Sequence, residues 1–247
     1  MGTSAADGGG FPLLVKIIES RDRLSLQVHP NEETAKLSGG EPKTEMWYVL
    51  GTEPGATLFA GLREGVDREM LIRSLQEGTA ETTVARYEPQ RGEVLFIPGG
   101  LVHAVGGGCR LYEVQQTSDT TWRLHDWNRV DAKTGLPRPI HVREGLAAID
   151  WSLPPPTLLR AGSPASVDAL ISCASFRFFV REFSLETVLP ARADGFRLLF
   201  AEEGSCVVRM ERADPVPLAG DVCALIPAGG ACTVVPSGFC RLLIAER

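Results

Sequence analysis

The sequence predicts an all-β fold in two tandem copies with a few short helices, and three observations carry that expectation. Short apolar or alternating runs recur between turn residues from Phe11 onward. Helical spacing is clear in only two stretches. The tract Gly92-Glu93-Val94-Leu95-Phe96-Ile97-Pro98 is echoed, with one extra residue, by Gly220-Asp221-Val222-Cys223-Ala224-Leu225-Ile226-Pro227. The chain of 247 residues leaves room for one large or two small domains, and 44% apolar with 23% charged residues excludes disordered and fibrous classes. A net charge of -6 supplies no bulk attraction to nucleic acid or anionic membrane, so neither is an expected partner.

Taken in order, residues 1–10 (MGTSAADGGG) read as a disordered lead-in, lacking the basic start and apolar core of a signal peptide. No apolar run approaches the roughly 20 residues of a membrane span, which makes the cytoplasm the expected location. Strands are expected at Leu13–Ile18, Leu24–His29, Met46–Leu50, Thr82–Tyr87, Val94–Ile97, Leu111–Gln115 and Thr121–Asp126. A helix is expected over Asp67–Glu77, with Asp67 as its N-cap, Met70, Leu71 and Leu75 on one face and Gly78 at its end; a second covers Val142–Ile149. Pro154-Pro155-Pro156 and the following Gly and Ser set a linker at 153–165 between a first domain, 11–152, and a smaller second, 166–247. Strands in the second are expected at Phe176–Leu185, Phe196–Phe200, Cys206–Met210, Val222–Ile226 and Arg241–Ala245. The six cysteines contain no C-x-x-C pair and are expected to be reduced, most of them buried.

Four side chains of the first domain can carry metal chemistry. Gln27 and His29 lie two apart and share one strand face, as a ligand pair or as a hydrogen-bonded pair at a sheet rim. Glu45 enters one of the most apolar strands, where it needs a metal or a salt bridge such as Lys43 offers. A Gly-rich turn delivers His103 into an apolar strand, as a ligand or as a satisfied core histidine. Two imidazoles and a carboxylate suit catalytic Zn²⁺ and non-haem Fe(II) alike. The second copy has no histidine after its proline, so any metal belongs to the first. The polar run from Glu113 to Arg129 reads as a pocket wall for a hydroxyl-rich ligand or as an exposed edge strand and loop; His125 and His141 read as structural or surface residues.

The segments L-Q-V-H-P (26–30), G-E-P-K-T-E-M-W-Y (40–48), I-P-G-G-L-V-H-A (97–104), E-V-Q-Q-T-S-D-T-T-W-R (113–123) and L-P-R-P-I-H (136–141) resemble, in this order, the type I phosphomannose isomerases of the short bacterial form. The resemblance implies a cupin-type β-sandwich, or jelly roll, in two tandem copies, the second metal-free. It implies one Zn²⁺ per chain on Gln27, His29, Glu45 and His103, and interconversion of mannose 6-phosphate and fructose 6-phosphate through an enediolate. Arg123 falls on the family's catalytic arginine, and Lys43 and Asp119 on active-site polar positions. The proton carrier stays open among metal-bound water, Lys43 and Asp119, and the phosphate anchor among Arg110, Arg123, Arg129 and Lys133. The family's N-terminal strands and W-G-G tract have no counterpart ahead of Phe11, which keeps a sugar-phosphate-binding protein without turnover as an alternative, beside a cupin Fe(II) oxygenase.

Overall fold

The computed structural model describes residues 10–130, 134–160 and 168–247. They form two compact units, Leu13–Arg160 and the chain from 168 onward joined by residues 10–12. Two expected boundaries move. Phe11, assigned to the first domain, packs its ring 4.5 Å from Phe196 of the second unit. Residues 153–160, assigned to the linker, belong to the first unit: Leu153 and Leu158 pack on its core, and Tyr87 Oη donates to Pro156 O at 2.6 Å. Residues 1–9 of the lead-in and 161–165 of the linker lie outside the described residues.

The first unit runs β1 (Leu13–Ser20), β2 (Leu26–Val28), α1 (Ala35–Ser38), β3 (Glu45–Thr52), β4 (Leu58–Leu62), α2 (Arg68–Glu77), β5 (Val84–Tyr87), β6 (Glu93–Ile97), β7 (His103–Val105), β8 (Cys109–Gln116), β9 (Trp122–His125), α3 (Val142–Ala148) and β10 (Leu159–Arg160). One sheet has the order β1-β8-β3-β6-β10 and the other β5-β4-β7-β2-β9, with every pair antiparallel. Period-2 alternation splits the buried residues. Trp47, Val49, Leu58, Ala60, Leu95, Ile97, Val105 and Leu111 meet between the sheets. Leu26, Val28, Phe59, Ala104 and Leu124 turn the other way, onto Leu71 of α2 and Leu146 and Ala148 of α3. The second sheet is thus buried on both faces and its inward side chains are held rigidly. Helix α2 forms where expected: Asp67 accepts from Met70 N–H at 2.8 Å, and Gly78, at φ 71°, closes the C-terminus.

The second unit contains β11 (Ile171–Ser172), β12 (Arg177–Phe183), β13 (Thr187–Leu189), β14 (Arg197–Met210), β15 (Ala213–Ala219), β16 (Cys223–Ile226) and β17 (Cys232–Glu246). Its sheet has the order β11-β12-β17-β14-β15, with β13 also on β17 and β16 on β14. Phe196–Phe200 and Cys206–Met210, expected as separate strands, are two ends of β14, whose register against β17 shifts near Gly204. A Cβ there would lie 2.1 Å from Phe239 O, so the two backbones close up only around glycine. All six cysteines are free thiols; four are buried, Cys173 is half-buried and Cys223 is exposed.

The two units repeat a pairing frame. Ile97 faces Glu45 and Ile226 faces Arg197. Glu45 in turn faces Gln115, and Arg197 faces Glu246. Five residues beyond each proline, His103 faces Gln27 and Cys232 faces Leu189.

Candidate metal centre

The inner ends of the first unit's sheets converge on one polar cluster. β2 carries Gln27 and leads into His29, β3 begins with Glu45, and β7 begins with His103. The turn before β7 is docked tightly onto the end of β2: Gly100 N–H donates to His29 O at 2.6 Å, and a Cβ on Gly99 would lie 2.5 Å from Pro30 O. Lys43 N–H donates to Pro30 O at 2.9 Å and so brings the start of β3 to the same place. Local backbone chemistry therefore sets the spacing of the side chains.

His29, Glu45 and His103 offer ligand atoms that all lie within 4.8 Å of one another, and each residue is 1% exposed. His29 Nδ1–H donates to Thr120 O at 2.7 Å and His103 Nδ1–H to Leu101 O at 2.8 Å. Those bonds fix the tautomer and leave each Nε2 with its lone pair toward the cluster. Each Nε2 lies 3.4 Å from a Glu45 oxygen. Glu45 Oε2 is buried with no donor in hydrogen-bond geometry. Acceptors that face one another in a buried site call for positive charge, and Lys43 reaches only some of them: its buried Nζ stands 3.3 Å from Glu45 Oε2 and 3.2 Å from His29 Nε2. The residues present thus fit a divalent metal.

Electrostatics reinforce that donor set. Burial raises the Glu45 carboxyl, but positive charge beside it, on His29 and His103 when they are protonated and on Lys43, outweighs burial and holds the group far below the usual carboxylate range, so the site favours a cation there. Burial pushes the His103 imidazole down to about 4 against the opposing pull of Glu45, so at neutral pH its lone pair is available. Gln27 closes the group differently from an oxygen ligand. Its Oε1 accepts from Ser25 Oγ at 3.1 Å while its Nε2 lies 3.4 and 3.3 Å from the imidazoles of His29 and His103. A half-turn of the amide exchanges the two atoms.

The other sequence-derived residues fall at different distances from the cluster. Arg123, on β9, faces Gln27 in register; its Nη1 donates to Pro139 O at 2.7 Å and its buried Nε has no hydrogen-bond partner. Asp119 is exposed on the loop after β8. Arg110 pairs with Glu19 at 2.9 Å and alternates with the inward Cys109 and Leu111, so it sits on the opposite sheet face and does not serve this site. Lys133 lies outside the described residues. His141 packs its ring 5.5 Å from Trp122 and His125 its ring 5.0 Å from Trp127, consistent with structural roles.

Two carboxylates of the polar run expected as a pocket wall turn out to hold specific partners that the sequence did not assign to them. Buried Asp126 accepts from Arg129 Nη2 at 2.5 Å and from Arg138 Nε at 2.8 Å, which gathers two more guanidiniums beside Arg123. Glu113, 4% exposed, accepts from Trp47 Nε1 and Lys16 Nζ, each at 2.9 Å. Burial and the Glu45 charge raise the Glu113 carboxyl, with Lys16 pulling the other way. Glu113 offered the signal of a carboxylate beside Tyr112 and Val114 in β8.

No protein-family model matches the chain. Curated relatives do. The likeness is to mannose-6-phosphate isomerases. The enzyme of Bacillus subtilis is 36% identical over 146 residues, which is 58% of this chain and 46% of that protein. The enzyme of Streptococcus mutans is 35% identical over 145 residues, 58% of this chain and 45% of that one. The match thus spans about half the length of these relatives. Among solved structures, the mannose 6-phosphate isomerase of Bacillus subtilis superposes with a TM-score of 0.83 at 23% identity, covering 98% of this chain and 78% of that one. The apo enzyme of Salmonella typhimurium gives 0.68 at 18% identity, covering 98% and 81%. The fold is theirs.

Proposed function

We propose that the chain is a mannose-6-phosphate isomerase whose first unit holds one Zn²⁺ on His29, Glu45, His103 and Gln27. The observation that carries this reading is the buried, donor-poor Glu45 carboxylate facing two imidazoles, in a chain 36% identical over 146 residues to such an isomerase. A divalent cation bound there supplies fixed positive charge that polarises a substrate oxygen.

The protein's own groups do the rest. Arg123, with its Nε unpaired, stabilises the negative charge that develops as C2 loses its proton. That proton must be held until it returns at C1. Lys43 Nζ, in its unprotonated form, is the group for this, buried within the cluster while Asp119 stands exposed on its loop. The substrate phosphate is anchored by Arg129 and Arg138, whose excess charge over Asp126 remains for an anion. The metal-loaded full chain should convert mannose 6-phosphate to fructose 6-phosphate in a coupled assay, and in D₂O part of the product should carry deuterium at C1. Substrate binding without turnover on metal-replete protein would overturn the isomerase reading in favour of a binding protein, and iron-dependent oxygen uptake would favour an oxygenase.

A further inference from the structure

The second unit contains a cavity of about 230 Å³ lined by Arg177, Arg181, Arg192 and Arg197, with Glu246 as its lining carboxylate. Arg177, Arg192 and Arg197 share the single carboxylate of Glu246, which leaves an excess of two positive charges among them. The pairing frame says what this cavity replaces. Arg197 stands at the register position of Glu45, Leu189 at that of Gln27, Cys232 at that of His103 and Glu246 at that of Gln115. The turn is docked in the same manner too: Gly229 N–H donates to Arg192 O at 2.6 Å, as Gly100 N–H does to His29 O at 2.6 Å.

We propose that this cavity binds a small phosphate monoester, at the place in the second unit that corresponds to the metal centre of the first. Glu246 preorganises the donors. Its Oε1 takes Arg197 Nε at 2.7 Å, and its Oε2 takes Arg177 Nη2 at 2.8 Å and Arg192 Nη1 at 2.9 Å. Arg197 is 7% exposed and also donates Nη1 to Pro190 O at 2.6 Å, so its orientation is fixed. Arg192 Nε is buried with no hydrogen-bond partner. Each guanidinium carries five donors, far more than one carboxylate and one carbonyl can accept. A cation is repelled here and a neutral ligand leaves the charge uncompensated. A phosphate dianion matches both the charge and the forked donors. Phe179, Leu189 and Ile244 line the cavity and give the organic substituent an apolar wall.

The test is calorimetric titration of the full, metal-loaded chain with glycerol 2-phosphate. Binding to the cavity should weaken about tenfold or more in Arg192→Gln and in Arg177→Gln, the loss of one charged hydrogen-bond donor set. It should persist in Arg138→Gln, which alters the first unit, and acetate at equal ionic strength should not compete. Near-UV circular dichroism checks that each variant is folded. Should Arg192→Gln fail to fold, Arg177→Gln, with its side chain 42% exposed, carries the test. Absence of binding, or binding lost in Arg138→Gln but unchanged in both second-unit variants, would overturn the proposal.

Discussion

Pro98 and Pro227 open turns closed by equivalent hydrogen bonds, Leu101 N–H to Pro98 O and Gly230 N–H to Pro227 O, both at 3.1 Å. Gly100 and Gly229 sit at the same point of each turn with φ of 92° and 75°, a region where glycine avoids the Cβ penalty. From there the units diverge. One turn leads to an imidazole opposite an amide, the other to a buried thiol opposite a leucine. Gly99 has no room for a Cβ, whereas its counterpart is Ala228, so of the two turns only the first docks closely enough to exclude a side chain. The comparison teaches that turn chemistry and apolar strands fix the frame, while a few inward positions set the sign of the charge inside it.

The largest expected effect breaks the first half of that comparison. His103→Ala removes a ligand and should strip metal from the dialysed full chain by elemental analysis, whereas Cys232→Ser, at the matching position, should leave metal content unchanged. Metal retained by His103→Ala would mean that the frame does not locate the site. Next, Arg123→Ala should lower kcat by about two to three orders of magnitude with metal occupancy near one, because a charge-stabilising donor acts in the transition state. Arg192→Gln should leave kcat near wild type. Equal losses in both variants would erase the division of labour between the units.

Much of this was legible in the sequence because it rests on local rules. The cadence of strands, the Asp67-capped helix and the repeated Gly-acid-strand-Pro tract depend on neighbours in the chain, and the structure reproduces them. The type and order of Gln27, His29, Glu45 and His103 were legible for the same reason, and the convergence of three of them needed only that the end of β2 and the starts of β3 and β7 meet at one place. The arginine cavity was not legible: Arg177, Arg197 and Glu246 come from three strands, and only the register of β12 and β14 on β17 brings them together. Arg138 likewise reaches Asp126 from 12 positions along the chain, beyond the span of any helical or strand period. The fusion of two expected strands into β14 escaped because a register shift at a glycine looks, in one dimension, like a turn.

A smaller effect sharpens the comparison of the two buried carboxylates that collect arginines, Asp126 and Glu246. Burial raises the Asp126 carboxyl, but the hydrogen bonds and charges of Arg138 and Arg129 outweigh it and hold the group below its ordinary value of 3.8. A carboxyl depressed in the folded state contributes stability that is fully present above its unfolded pKa and is lost as pH falls through the folded one. Asp126→Asn should therefore lower Tm at neutral pH, and the gap from wild type should close as pH falls below about 4. A gap that stays constant with pH would assign the loss to packing.

The smallest expected effect concerns the helical layer that covers the sheet carrying Gln27 and His103, for which the described residues of the second unit have no helical counterpart. Gly145 in α3 faces Leu124 of β9 so closely that a Cβ would stand 2.5 Å from Leu124 Cδ2, with Val28 Cγ1 at 3.6 Å. Gly145→Ala gains about 1 kcal/mol of helix propensity. It loses about 1–3 kcal/mol to overpacking, because the sheet behind Leu124 is already filled. The net is a destabilisation of about 0–2 kcal/mol, read as a fall in the denaturant midpoint at unchanged m-value. Leu124 neighbours Arg123 on the same strand, and the displacement has to be absorbed either by the leucine side chain or by the β9 backbone. If the side chain yields, kcat stays near wild type while stability falls. If the backbone yields, Arg123 moves with it and kcat falls together with stability. A kcat loss without any shift of the denaturant midpoint would break the link between the helical layer and the site.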